Sequence, residues 1–307
     1  MINGQKEFSN FKIHSQYSIC EGAIKIDDLA SHCKENKIKS IGLCDSYNLC
    51  GALEFAEKIS KVGSQPIIGT QINFLLEGFI GKLPLFASSE LGYKNLTKLS
   101  SKSYLESSEK KDPHCNFEEL LNFNQDIILL SGNCFDLFGK LFKFNKLSLI
   151  ENTLCLLKKT FKNRFYIEIQ RHNEISEAKF ENHLIAVSEK LKIPLIATQE
   201  VFYLNKDMFE AHDALICIGE KTFIDVSKRK KYNDQHYLKK TDELNKLFSD
   251  IPEALENNFN FAFRFNFKPK KSIPVLPSIE TKKGITVEGE LLTQAKLGLK
   301  SRLDNFV

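Results

Sequence analysis

The sequence predicts an α/β barrel, and three observations carry that expectation. Short β-branched or apolar runs alternate with longer amphipathic runs along most of the 307 residues. The alternation amounts to about seven strand–helix units in roughly 200 residues, which favours a closed barrel over an open sheet. No G-x-G-x-x-G follows the first strand and no Walker-type loop occurs, so dinucleotide and P-loop chemistry are not indicated.

Residues 8–14 read as the first strand. Ile26, Leu29, Ala30 and Cys33 then recur at helical spacing and share one face. Residues 40–45 (SIGLCD) form a buried-type strand, followed by a helix over 51–62 in which Leu53, Ala56 and Ile59 keep the helical period. Strands are expected at 66–76 and 83–87, and a helix at 93–105. The pattern resumes with a strand at 126–131 (DIILLS) and a helix at 147–161 carrying Ile150, Leu154 and Leu157. A strand at 164–170 (RFYIEIQ), a helix at 176–191 and a strand at 194–198 (PLIAT) follow. From 209 to 265 the signal is helical. After 267 the texture changes: KPKKSIPVLPSIETKKG has three prolines and several lysines and reads as a linker. An amphipathic run at 287–303 reads as a helix with nothing to bury its apolar face, so something that should follow it is expected. The expected division is a barrel domain over 1–267 and a linker with an orphan helix over 268–307.

Composition narrows the function. Hydrophobic residues at 42% and charged residues at 27% are ordinary for a soluble globular protein. No run approaches the roughly 18 apolar residues of a membrane span, and no basic-then-apolar leader opens the chain, so a cytoplasmic protein is expected. A net charge of +4 is too small to argue nucleic-acid binding by itself. Basic clusters at Lys228, Arg229, Lys230 and Lys231, and at Lys268, Lys270 and Lys271, read as solvated loops, with direct DNA contact through the first as the alternative. The eight cysteines form no C-x-x-C pair and read as reduced core fillers.

Barrel chemistry sits where strands end and loops begin. The polar residues there are His14 and Ser15, Asp45 and Ser46, Gln71, Asn133, His172, Gln199 and Glu200. A hydrolytic metal site needs His and carboxylate donors converging to about 2.0–2.2 Å. His14, Asp45, His172 and Glu200 would hold one weakly bound ion at best. Gln71 and Asn133 carry no charge, and Lys12 would repel a cation. A lone His or Asp at a strand end is also more often a hydrogen-bonded structural residue than a ligand.

These same residues carry a resemblance. The stretch from FKIHSQYSICEGA to GTQINF resembles the opening of bacterial DNA polymerase III alpha subunits, which begin with a polymerase-and-histidinol-phosphatase (PHP) domain. GYKNLTKLSSKSYLE, DIILLSG, FYIEIQRHN, PLIATQEVFYL, EAHDALICIGEKTFID and LFSDIPEALENN continue it in order. The resemblance implies a distorted PHP barrel of seven strand–helix units. It also implies a metal site, against which this sequence departs position by position. The family's H-x-H is Lys12-Ile13-His14, its D-H-G-N is Asp45-Ser46-Tyr47-Asn48, and its third-strand Glu is Gln71. Asn133 stands for the Cys of S-G-C, and Gln199-Glu200-Val201-Phe202 for N-D-V-H, while His172 survives. His14, Asp45, His172 and Glu200 are thus expected to be vestigial, with no metal bound and no catalytic residue. Zinc or manganese enters only under the alternative, a residual phosphoesterase or 3′–5′ exonuclease. Magnesium belongs to a palm domain that the resemblance places C-terminal to this segment, so a fragment or truncated product that does not polymerise DNA alone is expected. The implied role is that of a scaffold that docks a proofreading exonuclease subunit of the polymerase III holoenzyme and meets DNA through the full-length polymerase.

Overall fold

The computed structural model describes residues 7–105, 107, 112–275, 281 and 284–306. The chain divides into two compact units, Met1–Lys270 and Lys271–Val307.

The first unit alternates strands and helices. It opens with β1 (Lys12–Ile13), α1 (Ile26–Asn36), β2 (Ser40–Ser46), α2 (Ala52–Lys61), β3 (Gln65–Leu76), β4 (Phe79–Ala87) and α3 (Glu90–Leu105). It continues with β5 (Cys115–Asn116), α4 (Phe117–Asn122), β6 (Ile127–Leu130), α5 (Leu137–Lys143) and α6 (Leu147–Phe161). Then come β7 (Phe165–Ile169), α7 (Glu177–Leu191), β8 (Leu195–Ala197), β9 (Glu200–Val201), α8 (Phe209–Gly219), α9 (Thr241–Leu247) and α10 (Pro252–Phe261). In the second unit, α11 (Val287–Asp304) starts at Thr286, whose hydroxyl accepts from the Gly289 amide at 3.1 Å.

The helices form where apolar residues recur every three or four positions, and that stripe is what they bury. In α2 it is Ala52, Phe55, Ala56 and Ile59; in α6 it is Ile150, Leu154, Leu157 and Phe161. Helix α1 carries Asp27 and Asp28 in its first turn and Lys34 in its last, each sign favourable to the helix dipole. It stops at Lys37, which takes a left-handed conformation.

The strands run β2–β3–β4–β6–β7–β8, with β5 beside β3, and the sheet curls. A parallel pair, β1 and β9, bridges its two ends. On one side the Gly42 amide of β2 donates to the Asn10 carbonyl just before β1, at 2.9 Å. On the other, β9 follows β8 directly in the chain. The result is the distorted α/β barrel expected from the alternation.

Three details differ from the sequence expectation. The first strand is only two residues of ladder instead of 8–14, because Phe8 and Phe11 are spent on core packing. The strand expected at 83–87 begins at Phe79 and runs antiparallel to β3 through a two-residue turn. Glu77 and Gly78 both have positive φ there, the geometry of a tight hairpin, so these two strands are not separate strand–helix units. The helical signal over 209–265 is also interrupted: residues 220–240 are turns and extended chain that fold over the barrel mouth.

Period-two alternation divides the barrel interior into two levels. At the lower level Phe11, Cys44, Ile67, Phe86, Ile128, Tyr166 and Ile196 meet Phe261 and Phe265 from the end of α10 and the turn after it. Phe261 stacks on Phe11 at 4.2 Å and meets Phe86 edge-on at 5.5 Å, closing that end. Further along the same strand faces the side chains become polar: Gln71 and Asn73 on β3, Glu168 on β7, Thr198 after β8. Lys82 on the antiparallel β4 pairs with Asn73 and reaches the same level.

Closure depends on a close approach at Gly42, where an added Cβ would meet the Phe11 backbone at 2.5 Å. Gly42→Ala is expected to lower unfolding stability by roughly 1–3 kcal/mol in a denaturant titration. Gly298→Ala, inside α11 with nothing within 4 Å of its new methyl, is expected to leave stability unchanged or slightly raised.

Candidate functional site

The polar upper level of the barrel holds His14, Ser15, Asp45, Gln71, Asn133, His172 and Glu200 in one connected network, while Gln199 donates to the Gln235 and Tyr237 carbonyls instead. Glu200 is its hub. Its Oε1 lies 3.0 Å from His14 Nε2 and accepts from Gln71 Nε2 at 2.5 Å, while its Oε2 accepts from Asn133 Nδ2 at 2.5 Å. Gln71 Oε1 has no hydrogen-bond partner among the described residues. The Glu200 amide donates to His172 Nε2 at 3.3 Å. Asp45 joins through Ser18, whose hydroxyl donates to Asp45 Oδ1 at 2.7 Å and lies 3.1 Å from His14 Nδ1. Ser15 donates its amide and its hydroxyl to the two Asp45 oxygens at 2.7 and 2.8 Å.

At the centre lies Lys12, whose side chain is fully buried. Its Nζ is 3.2 Å from Glu168 Oε1, 3.5 Å from Glu168 Oε2 and 3.9 Å from Glu200 Oε1. Burial by itself would favour the neutral amine. The Glu168 and Glu200 carboxylates outweigh that and hold the ammonium charged well above lysine's ordinary range. Reciprocally, burial pushes the Glu200 carboxyl up, but Lys12 and His14 prevail and keep it far below the usual carboxylate range.

A second ion pair flanks the first. Lys82 donates to both oxygens of Glu21 at 3.1 Å and to Ser46 Oγ at 2.8 Å. Lys230 and Tyr232 reach Glu21 Oε1 from the 220–240 segment at 3.2 and 2.9 Å. Burial opposes ionisation of Glu21, yet Lys82, His14 and Lys230 hold its carboxyl well below the usual range. Phe202 fills the remaining space, packing on His14 and on Tyr232 with ring centroids 4.5 Å away in each case. Beside it His172 stacks on His236 at 4.2 Å. Burial, then Lys239, pushes His172 down to about 3, so it is neutral. A cavity of about 430 Å³ opens above, lined among others by Glu21, Lys82, Asp136, His172, Glu200 and Tyr232.

These residues do not fit a divalent cation. The donor atoms are already committed: both Asp45 oxygens to Ser15 and Ser18, both Glu200 oxygens to amides, and the His172 Nε2 lone pair to the Glu200 N–H. A doubly charged ion about 4 Å from the Lys12 ammonium would also be repelled by about 8 kcal/mol at an effective dielectric near 20. Among the described residues no group of three or more His, Cys, Asp or Glu converges as a metal-binding set.

The structure therefore brings His14, Asp45, His172 and Glu200 into one network, together with Lys12, Gln71 and Asn133. Ser46 is drawn to the Lys82–Glu21 pair instead. Sequence reasoning missed Glu168, Glu21, Lys82, Asp136, Tyr232 and His236. Only Glu168 carried a legible signal: in RFYIEIQ the apolar positions alternate with Tyr166, Glu168 and Gln170, so a charged residue shares the inward face of a buried strand. Cys33, Cys44, Cys115 and Cys217 are buried.

A family model described as the PHP domain matches residues 10–172. The DNA polymerase III subunit alpha of Caulobacter vibrioides is 36% identical over 309 residues, covering 97% of this chain and 27% of that protein. Its counterpart in Rickettsia bellii is 36% identical over 301 residues, covering 98% of this chain and 26% of that protein. The chain thus spans well under a third of the length of these relatives. A solved two-domain protein from Bacteroides vulgatus with a PHP-like metal-dependent phosphoesterase part aligns at 10% identity and a TM-score of 0.40, over 78% of this chain and 62% of that one. That likeness is too loose to bear on the site.

Asp136 gives the network a pH signature. Burial raises its carboxyl to about 7, against the pull of Lys12. A raised value in the folded state stabilises the fold fully below the unfolded carboxyl's value of about 3.9, and the contribution is lost as pH rises through about 7. Asp136→Asn keeps an oxygen for the Asn133 amide, which donates to Asp136 Oδ2 at 2.8 Å. The variant is expected to be more stable than its parent at pH 8.5, by on the order of 2 kcal/mol, with the gap closing by pH 4. Urea midpoints across that window measure it; a gap that widens at low pH would contradict the assignment.

Proposed function

The chain belongs to the PHP-domain family, and from its match to DNA polymerase III alpha subunits we propose that it is a structural and interaction module of a replicative polymerase, without phosphoester chemistry of its own. In this reading the barrel acts in the cytoplasm within the full-length alpha subunit, braces the polymerising domains and docks a separate proofreading exonuclease subunit. DNA and magnesium then belong to the polymerase as a whole. No helix among the described residues is long and apolar enough to cross a membrane.

The observation that carries the reading is the buried Lys12 ammonium at the meeting point of the former ligand positions, paired with Glu168 and Glu200. Hydrolysis of a phosphate ester at a PHP-type site needs cations that activate water and polarise the phosphoryl oxygens. Here the groups that would hold them hold one another. Direct DNA contact by the 228–231 cluster is weakened on similar grounds. Arg229 is clamped on Asp213 by two bonds of 2.6 Å, and Lys230 is turned onto Glu21.

The purified chain is expected to carry no stoichiometric manganese or zinc by metal analysis. It is also expected to hydrolyse neither a phosphate ester nor a DNA 3′ end in either metal. The cognate exonuclease subunit is expected to co-elute with it equally in chelator and in manganese. The competing reading is a residual phosphoesterase using His14, Asp45, His172 and Glu200. It would be favoured by bound metal together with activity that Asp45→Ala abolishes.

A further inference from the structure

The former metal site is not simply emptied of ligands. We infer that the Lys12 ammonium is a covalently tethered replacement for the site's cation, supplying the positive charge that holds the barrel's upper level together without a metal. The inference rests on the scaffold reading and adds a mechanism to it: metal dependence is exchanged for an internal ion pair.

Three observations support it. The barrel interior places two carboxylates at one level, with Glu168 and Glu200 both almost wholly buried. Such a group of anions is not tolerated in a protein interior without a positive charge among them. Lys12 supplies it from β1, the shortest route into the centre, with both Glu168 oxygens and one Glu200 oxygen within 4 Å of Nζ. The uncharged replacements around it are hydrogen-bond donors as well. Gln71 and Asn133 turn their amide N–H groups toward Glu200, so they lower the negative charge density that a divalent ion would need and leave one a monovalent ammonium can balance.

A tethered cation and a free one are mutually exclusive, which makes the idea testable by exchange. Urea midpoints would be measured for the parent chain, Lys12→Ala, Lys12→Met and the double variant Lys12→Met/Glu168→Gln, each in chelator and in millimolar Mn²⁺, with Mn²⁺ affinity read in parallel by paramagnetic resonance. The parent midpoint is expected to be the same in both buffers. Lys12→Ala, with the ammonium removed and the carboxylates kept, is expected to fall in chelator, to recover part of the loss in Mn²⁺, and to bind Mn²⁺ at least tenfold more tightly than the parent. The double variant, which removes both charges, is expected to be more stable in chelator than Lys12→Met alone and indifferent to Mn²⁺.

A Lys12→Ala protein that folds and ignores Mn²⁺ overturns the inference, as does a parent chain whose midpoint rises in Mn²⁺. Should Lys12→Ala not fold in either buffer, the double variant decides: stability no better than Lys12→Met alone would show that charge balance is not what Lys12 provides. The scaffold reading is separable from these outcomes, since it fails only if the parent chain hydrolyses phosphate esters or does not bind the exonuclease subunit.

Discussion

A full positive charge sits inside the barrel at Lys12, and much of the site's arrangement follows from the need to balance it. An unpaired ammonium in a closed interior would cost several kcal/mol, so the strands around β1 must present carboxylates at that level. Glu168 does so from β7 and Glu200 from β9, and each is fixed in turn by its neighbours. Thr198 and Gln170 bind Glu168, while His14, Gln71 and Asn133 bind Glu200. Breaking such a pair from one side is far more damaging than replacing it whole. The network thus behaves as a unit, and the polar residues at the strand ends are each other's partners.

The topology decides which residues reach this unit. In parallel strands the residues near the C-terminal ends meet at the barrel mouth, as Gln71, Gln170 and Thr198 do. Strand β4 runs the opposite way, so a residue early in it, Lys82, arrives at the same level, while its late residue Phe86 joins the aromatic plug at the other end. A parallel β4 would have exchanged the two, placing an ammonium among phenyl rings. The tight Glu77-Gly78 turn is therefore what delivers the second cation to Glu21. The 220–240 segment completes the site from above with Lys230, Tyr232 and His236, closing one side of the cavity with groups that are more than a hundred residues from β1.

Much of this was legible in the chain itself. Helices α2, α6 and α7, and strands β2, β3 and β7, follow directly from apolar spacing. They stand within a residue or two of where the periodicity put them, because each buries one continuous stripe or face. The polar and aromatic residue types at the strand ends were legible too: Lys12, Ser46, Gln71, Asn133 and Phe202 can be read without coordinates. Less legible were the antiparallel hairpin, whose Glu-Gly turn is a weak local signal, and the loop at 220–240, whose apolar residues mimic a helical period.

The sequence by itself determined the alternation, hence the barrel, and the polar residue types at the strand ends, because both are properties of residue identity and spacing along the chain. Only the tertiary structure decided which of these residues meet as ion pairs. The partners of Lys12 lie 156 and 188 positions away in the chain at Glu168 and Glu200, and no local pattern encodes which buried charges will face one another. That pairing is set when the sheet curls shut and a tethered ammonium and two carboxylates are left in the same buried space.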